Sequence, residues 1–239
     1  MSTLNRTSSL ILGVCIIIGL SSLGYLLGHA AIQYKELERT VTVKGLSERE
    51  YKADIVIWPI QFNIAGNDLE KVYDEIDNNT AKIKAFLEKS GIGANEISFS
   101  SPSIIDKSAQ QYSNDSQAKF RYTATQTVTV YSKNIDLVRR VMENMSDLGK
   151  QGIVFTGNNY QAQTEYLFTR LNEVKPKMIE EATQNAREVA EKFASDSKST
   201  LGKIKTASQG QFSISERDKN NPQIKKVRVV STVTYYLSD

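Results

Sequence analysis

Three acidic residues that precede the only tryptophan are the first candidates for chemistry in this 239-residue sequence. Glu48, Glu50 and Asp54 lie shortly before Trp58, and a pair of carboxylates can hydrolyse sugars by acid and base catalysis. A Ser-Lys dyad for acyl transfer is the other chemistry that the residue types allow. Acidic clusters in loops are mostly solvated charge, however. We therefore expect no catalytic residue, no cofactor-binding residue and no metal ligand, and predict that the protein is not an enzyme.

Histidine and cysteine are almost missing from the sequence, which removes several classes of reaction. The single histidine, His29, and the single cysteine, Cys15, both lie in an apolar segment near the N-terminus. A Ser-His-Asp triad needs an imidazole, a thiol protease needs a thiolate, and zinc or copper sites depend on both side chains. We predict no covalent or transition-metal catalysis in residues 33–239.

Aromatic residues offer a different function, the binding of a small ligand or a peptide. Trp58, Tyr235 and Tyr236 could form an aromatic platform, although packing in a core or at a sheet edge explains the same residues. The densest basic stretch, residues 225–230, is typical of the solvated face of a strand. With a formal net charge of +3, the chain has no strong field for nucleic acid, and we predict no nucleic-acid partner.

Residues 9–32 predict a membrane-spanning helix. Apolar character persists from Leu10 to Leu27, interrupted only by Ser21 and Ser22. About 20 apolar residues cross the hydrocarbon core, whereas the apolar region of a cleaved signal is usually about 7–15 residues. The length favours an anchor that is retained.

Two alternatives to the anchor remain open. Gly28 and Ala30 are small residues at the positions that a signal peptidase recognises, so cleavage before Ala31 is possible. Lipidation of Cys15 is disfavoured because the preceding residue, Val14, is branched. Cys15 then serves as a small apolar residue of the helix.

The charges beside the span weakly favour an N-terminus on the cytoplasmic side of the membrane. The short N-terminal tail favours the same orientation. We predict that residues 1–8 are a cytoplasmic tail and that residues 9–32 are a single-pass anchor in the inner membrane. Residues 33–239 would then be one exported domain, in the periplasm or outside the cell. Either fate of the span places this domain beyond the membrane.

Hydrophobic periodicity predicts an α+β fold, with mostly antiparallel sheets packed with amphipathic helices in the order ββαββ-αβαββ. The predicted strands are residues 39–46, 54–64, 95–106, 120–132, 153–168, 201–215 and 225–237. The predicted helices are residues 68–91, 134–152 and 172–198. Residues 47–53 are expected to turn, and residues 107–119 to form a flexible tip.

Particular residues define these elements further. Asp68 is the expected N-cap of the first helix and Gly91 its end. Pro59 cannot donate to a sheet, which predicts an edge position or a bulge for its strand. The last predicted helix buries a stripe formed by Met178, Ala182, Ala186, Val189, Ala190 and Phe193. The corresponding stripe of the middle helix is Leu137, Val138, Val141, Met142, Met145 and Leu148.

Several of these segments together resemble the SIMPL domain family, whose bacterial members are mostly exported proteins of poorly defined function. The family opens with a V-x-G-x-G strand and a Pro-Asp pair, which Val43, Gly45 and Asp54 match, with Ser47 and Ala53 in place of the second glycine and the proline. Residues 86–104 and 120–145 are similar to its helix–strand and strand–helix segments. Its alanine-rich helix is matched by Ala182, Ala186, Arg187, Ala190, Glu191 and Ala194, with Val189 in place of a lysine.

These motifs have structural interpretations. Gly45 is expected to permit a bulge or an unusual backbone angle, and alanines four apart permit close packing on the helix. Arg187 and Glu191 form an i,i+4 pair, and Arg187 could instead serve a subunit or ligand contact.

The resemblance implies a membrane-tethered, non-enzymatic protein of the cell envelope, with a stress-related role and self-association into a homo-oligomer. The strand with Val229 and Val233, or the strand at residues 39–46, would supply a sheet edge for that contact. Lys225, Lys226 and Arg228 guard only one end of the former strand. The alternatives are a periplasmic module that binds a small ligand or peptide and, less favoured, a hydrolase based on carboxylates or a Ser-Lys dyad.

Overall fold

The apolar N-terminal segment forms one long helix, α1 (Thr3–Leu37), in a computed structural model that describes residues 3–37, 39–109, 119–156 and 162–238. Within α1, Ser8–Lys35 is long and apolar enough to cross a membrane, and its most apolar window is 0% buried by the rest of the protein. A helix of this kind is typical of a single-pass anchor or of a signal sequence.

The chain, including α1, is divided into two compact units. The first comprises Met1–Glu48, Lys175–Ser213 and Arg228–Asp239, and the second comprises Arg49–Val174 and Ile214–Val227. Each unit is assembled from separated stretches of chain, so no linker in the sequence could mark a boundary between them. The limits predicted for the cytoplasmic tail, the membrane span and the exported domain are positions relative to a membrane, and they stay predictions.

The second unit is built on two long antiparallel strands, β2 (Ile55–Gly66) and β5 (Tyr122–Ser132), whose register runs from Val56 opposite Ser132 to Gly66 opposite Tyr122. Alternate residues of both strands enter the core of this unit because successive side chains of a strand point to opposite faces. Four short strands complete the sheet: β3 (Ile97–Phe99) and β4 (Ser103–Asp106) on β5, and β6 (Val154–Phe155) and β7 (Glu165–Leu167) on β2.

Pro59 does not place its strand at an edge. β2 is paired along both sides, and Pro59 lies between the residues that pair with β7 and those that pair with β6. The register with β5 continues through Pro59 opposite Thr129 without a bulge. The missing N–H is tolerated because it falls in the interval between two short partners.

The helices of the second unit follow their capping residues. α2 (Leu69–Lys89) begins after Asp68, whose carboxylate accepts a hydrogen bond from the Glu70 backbone, as predicted. It ends before Gly91, which has a φ of 94° and lets the chain leave the helix in a left-handed turn. The predicted middle helix is instead divided into α3 (Ile135–Glu143) and α4 (Ser146–Gly149), because Asn144 caps the first of them.

The other sheet has the strand order β1-β10-β8, where β1 is Thr40–Lys52, β10 is Ile224–Ser238 and β8 is Thr200–Gln209. A short strand, β9 (Ser213–Glu216), also pairs with β10. β1 continues through residues 47–52, where we expected a turn. In this stretch buried Ser47 is followed by exposed Glu48 and Glu50. The alternation of inward and outward side chains is present, but the many charged residues hide it in the sequence.

The long helix of the first unit, α5 (Leu171–Asp196), supplies Ala186 and Ala190 to a small core that β1 and β10 complete. Its buried stripe consists of Met178, Ala182, Ala186, Ala190 and Ala194. The prediction of Val189 and Phe193 as buried was wrong, and Phe193 is 56% exposed. Ala182 and Ala186 are small because the backbone of β1 at Gly45 lies against them.

The predicted α+β class, with antiparallel sheets and amphipathic helices, is therefore confirmed. Residues 110–118 of the expected flexible tip, and residues 157–161 of the strand expected at 153–168, lie outside the described residues.

Candidate functional site

Asp54, the central member of the acidic group, is fixed by hydrogen bonds at the start of β2. Its carboxylate accepts bonds from the Thr169 backbone at 2.9 Å and from the Thr169 hydroxyl at 2.7 Å. The Arg170 guanidinium lies 3.4 Å from the same carboxylate. Asp54 thus ties the start of β2 to the segment between β7 and α5.

This environment is unsuitable for a general acid. Burial acts to raise the pKa of Asp54, but the hydrogen bonds from Thr169 and the charge of Arg170 outweigh it, and the pKa lies below the ordinary value of an aspartate. A general acid needs a carboxyl group that holds its proton near neutral pH. Asp54 therefore has the electrostatics of a structural carboxylate.

We expect Asp54→Asn to destabilise the second unit by about 1–2 kcal/mol at neutral pH, because the amide cannot accept all of these bonds. A carboxyl with a lowered folded-state pKa stabilises the protein above its unfolded-state pKa and loses this contribution as the pH falls through the folded-state pKa. The difference between the wild type and the variant should thus be constant above about pH 5 and shrink below about pH 4. Urea unfolding followed by Trp58 fluorescence measures it.

The control for this prediction is Asp77→Asn, at an exposed position of α2. It should leave the free energy of unfolding at neutral pH within about 0.5 kcal/mol of the wild-type value. A difference between wild type and Asp54→Asn that grows towards low pH would contradict the assignment.

The other two acidic candidates lie on β1 and do not form a pair of free carboxylates. Glu50 has the Arg217 guanidinium at 3.9 Å, and Glu48 has the Arg228 guanidinium at 4.0 Å. Trp58 is only 5% exposed and packs in the core of the second unit, so it offers no surface to a sugar. Within the described residues no group of three or more His, Cys, Asp or Glu side chains could hold a metal ion.

The predicted aromatic platform is contradicted by burial. Tyr235 lies in the core of the first unit with Val43 and Val233, just as Trp58 lies in that of the second. Tyr236 alone is exposed, and the Lys205 ammonium lies 5.4 Å from its ring centroid. Core packing accounts for two of the three aromatic residues.

Gly45 marks the closest approach between β1 and α5. A Cβ atom on this residue would collide with the Ala182 carbonyl and the Ala186 backbone nitrogen, and would lie 2.9 Å from the Ala186 Cβ. The φ of Gly45 is not positive, so the expected unusual backbone angle is wrong. Gly45 is instead required because the backbone of β1 packs directly against Ala182 and Ala186 of α5.

Polar contacts hold the same pair of elements together. The Ser47 hydroxyl donates to the Glu181 carboxylate at 2.9 Å, and the Asn185 amide donates to the Leu46 carbonyl at 2.8 Å. Arg187 lies on the exposed surface of α5 and pairs with Glu191 at 2.9 Å, as the spacing predicted. A role of Arg187 in a subunit contact stays a prediction.

The strand order corrects our expectation about the sheet edges. β10, which contains Val229 and Val233, is central, whereas β1 and β8 are the outer strands. Lys225 is not part of a solvated face, because it is 6% exposed and its ammonium pairs with Glu216 at 3.1 Å. Of the two predicted edges, only β1 is an edge, and α5 contacts it through Glu181 and Asn185.

β8 is the candidate functional surface that sequence patterns missed. Apart from half-buried Leu201, every residue of this ten-residue strand is exposed. Ala207 lies opposite buried Val233, so its side chain is on the face of the sheet that β10 buries, and yet it is exposed. The exposed Ile204 lies opposite buried Tyr235 in the same way. Among the residues that the structure describes, none therefore covers the core face of the sheet at β8.

One end of β8 carries features that oppose pairing with another strand. The register with β10 shifts twice between Thr234 and Leu237, opposite the part of β8 that contains Lys203 and Lys205. Irregular register and lysine are both devices that protect sheet edges. From Thr206 to Gln209 the register is regular and no charged residue is present. This regular part, residues 206–209, with the uncovered face at Ile204 and Ala207, is called the β8 edge.

These elements define an α+β protein with antiparallel sheets and an N-terminal helix that could cross a membrane. The family model of SIMPL, described as a protein of unknown function (DUF541), matches residues 41–235, and the chain belongs to this family. The resemblance drawn from Val43, Gly45, Asp54 and the alanine-rich helix is thereby confirmed. No curated protein sequence matches the chain.

Proposed function

We propose that this protein is a membrane-tethered, non-enzymatic scaffold of the cell envelope whose exported part associates with further copies of the same chain. The β8 edge carries the proposal. A regular, uncharged strand segment with an uncovered core face can pair with another strand and bury that face at the same time.

The tether is the second part of the proposal. An apolar helix with no buried side chains in its most apolar window is satisfied by lipid, and we place it in the inner membrane with the remaining residues in the periplasm or outside. Anchors in one membrane plane would raise the local concentration of copies that face the same way. Cyclic symmetry would let all anchors enter from one side. The stress-related role implied by the family resemblance belongs to the same proposal.

The absence of a catalytic arrangement among the acidic candidates supports the non-enzymatic part. Asp54, Glu48 and Glu50 are each held by a different arginine, and Asp54 has a pKa below the ordinary value. These carboxylates act as partners of cations within the fold, which is a structural role.

We expect the full chain, extracted in mild detergent, to contain more than one copy per micelle. Ala207→Lys should reduce it to one copy without loss of secondary structure, because the new charge lies at an exposed position of the β8 edge. Ala207→Ser is the matched control and should assemble as the wild type does. Light scattering corrected for detergent gives the copy number, circular dichroism reports the fold, and the intact mass of the extracted chain shows whether α1 is retained.

A wild-type chain that occurs as one copy per micelle would overturn the proposal of self-association. Assembly by Ala207→Lys at the wild-type copy number would exclude the β8 edge. A mature N-terminus at Ala31 would replace the anchor by a cleaved signal.

A further inference from the structure

We propose that the second unit binds a small phosphate ester that carries a free hydroxyl group, in a pocket at the start of α3. This inference goes beyond self-association and does not depend on it. The pocket has a volume of about 220 Å³. Its lining residues are Lys52, Ala53, Lys133, Asn134, Ile135, Asp136, Arg139, Gln223 and Ile224.

The walls of the pocket are fixed by local hydrogen bonds. The Asn134 side chain caps α3 by accepting from the Leu137 backbone at 3.1 Å, and the Asn134 backbone donates to the hydroxyl of buried Ser132 at 3.0 Å. On the other side, the Ala53 backbone donates to the Gln223 carbonyl at 2.8 Å. The start of α3 and the start of β10 are thus held in place without a ligand, which limits the entropy lost on binding.

The charge of the pocket favours an anion. Lys52, Lys133 and Arg139 contribute three positive charges against the single carboxylate of Asp136. In the described part of the chain none of the three cations lies within 4.0 Å of a carboxylate. By contrast, five other arginines form ion pairs: Arg121, Arg170, Arg187, Arg217 and Arg228. The N-terminus of α3 adds its own positive potential at the same place.

A buried acceptor without a donor indicates the rest of the ligand. Gln223 is 8% exposed, and its Oε1 atom has no hydrogen-bond partner. Its amide nitrogen donates to the Asn221 side chain at 3.4 Å, which favours the observed orientation of the amide. A buried acceptor without a donor is destabilising. Because Oε1 is enclosed in the observed conformation, the Gln223 amide has to turn towards the pocket to accept a hydrogen bond from a ligand hydroxyl.

Among the described residues, two other buried side-chain atoms have no partner, the hydroxyls of Thr156 and Ser231. Neither of these two residues lines the pocket. Of the three residues, only Gln223 lies in the same pocket as Lys52, Lys133 and Arg139.

Size narrows the class of ligand. Pockets for drug-sized ligands are about 300–1,000 Å³, so this smaller pocket suits a molecule of a few carbon atoms. A phosphate for the three cations and a hydroxyl for Gln223, combined in one small molecule, are the chemistry of a short polyol phosphate. The same group occurs free in solution and in the headgroups of anionic phospholipids, and a test has to separate these sources.

The test uses the full chain in detergent and calorimetric titration with sn-glycerol 3-phosphate, sulfate and glycerol. We expect saturable binding of glycerol 3-phosphate. Sulfate, which lacks a donor, should bind more weakly, and glycerol, which lacks charge, should not bind. Arg139→Gln should weaken the binding of glycerol 3-phosphate and of sulfate by about tenfold, as expected for the loss of a charge-assisted hydrogen bond.

Two variants sharpen the test. Arg140→Gln removes the neighbouring arginine of α3, which does not line the pocket, and should change the affinity by less than about twofold. Gln223→Leu should abolish the preference for glycerol 3-phosphate over sulfate while sulfate still binds. Thermal unfolding shows that each variant is folded before titration.

The inference fails if millimolar glycerol 3-phosphate gives no saturable heat, if sulfate binds equally well, or if Arg139→Gln and Arg140→Gln have equal effects. If binding is observed, competition with phosphatidylglycerol vesicles assigns the source. Displacement of glycerol 3-phosphate by these vesicles, and not by phosphatidylcholine vesicles, indicates a lipid headgroup, and no displacement indicates a free ester. None of these results depends on the copy number per micelle, so a failure here is distinct from a failure of self-association.

Discussion

Gly45→Val is expected to unfold the first unit, with a loss of at least about 3 kcal/mol in the free energy of unfolding. The new side chain would meet the Ala182 carbonyl and the Ala186 backbone, which are parts of α5 that no rotamer change can move. Small domains have only about 5–15 kcal/mol of stability, so the loss is a large fraction of the total.

Urea unfolding followed by circular dichroism measures this effect. Fluorescence of Trp58, which is the only tryptophan and is buried in the second unit, reports separately on that unit. Gly149→Ala is the matched control, because a Cβ atom there has no neighbour within 4 Å, and it should unfold at the wild-type midpoint or slightly above. A Gly45→Val variant with the wild-type midpoint would show that β1 and α5 are not in close contact.

Val233→Lys is expected to have the second large effect, about 4 kcal/mol or more. Val233 is 1% exposed in the central strand β10, so the substitution removes a buried apolar side chain and introduces an ammonium group among Val43, Ala186 and Tyr235. Burial of an unpaired charge is among the most destabilising changes that a core can undergo.

The control for Val233→Lys lies directly opposite on the neighbouring strand. Ala207→Lys introduces the same charge at an exposed residue, and it should lower the urea midpoint far less than Val233→Lys does. Comparing the two variants therefore distinguishes the effect of burying a charge from the effect of adding a charge at neighbouring positions of the sheet. Equal destabilisation by both variants would mean that β8 is covered as fully as β10.

Local signals in the sequence predicted the elements whose ends are fixed by local chemistry. Asp68 and Gly91 identified both ends of α2, and the alternation in residues 120–132 identified β5. The second half of β1 was missed because charged side chains occupy its exposed positions, which is also the signature of a turn. The stripe on α5 was misplaced at Phe193, since size alone suggested burial where the close approach of the sheet requires alanine.

The candidate surfaces were beyond sequence reasoning for a different reason. Periodicity tells which face of a strand is apolar, but the neighbours of a strand depend on the whole topology, so the outer position of β8 had no local signal. The pocket likewise unites Lys52, Arg139 and Gln223, which are far apart in the chain and form no motif. The missed signal was the cluster of cations without carboxylate partners, which becomes visible only when the positions of all the nearby carboxylates are known.

The pairing of β1 with β10 has a consequence for the order of folding. The hydroxyls of Thr42 and Thr234 form a hydrogen bond at 3.0 Å across 192 positions of the chain, whereas the bond between Thr125 and Asn63 in the other sheet spans only 62. High contact order slows folding, because the entropy of closing a long loop is lost before the distant contacts form. We expect the sheet of β2 and β5 to form early, whereas β1 pairs with a strand that lies 192 positions further along the chain at Thr234. Until β10 is synthesised, β1 is an unpaired strand next in sequence to the apolar helix α1, and this interval is when a nascent chain would most need a chaperone.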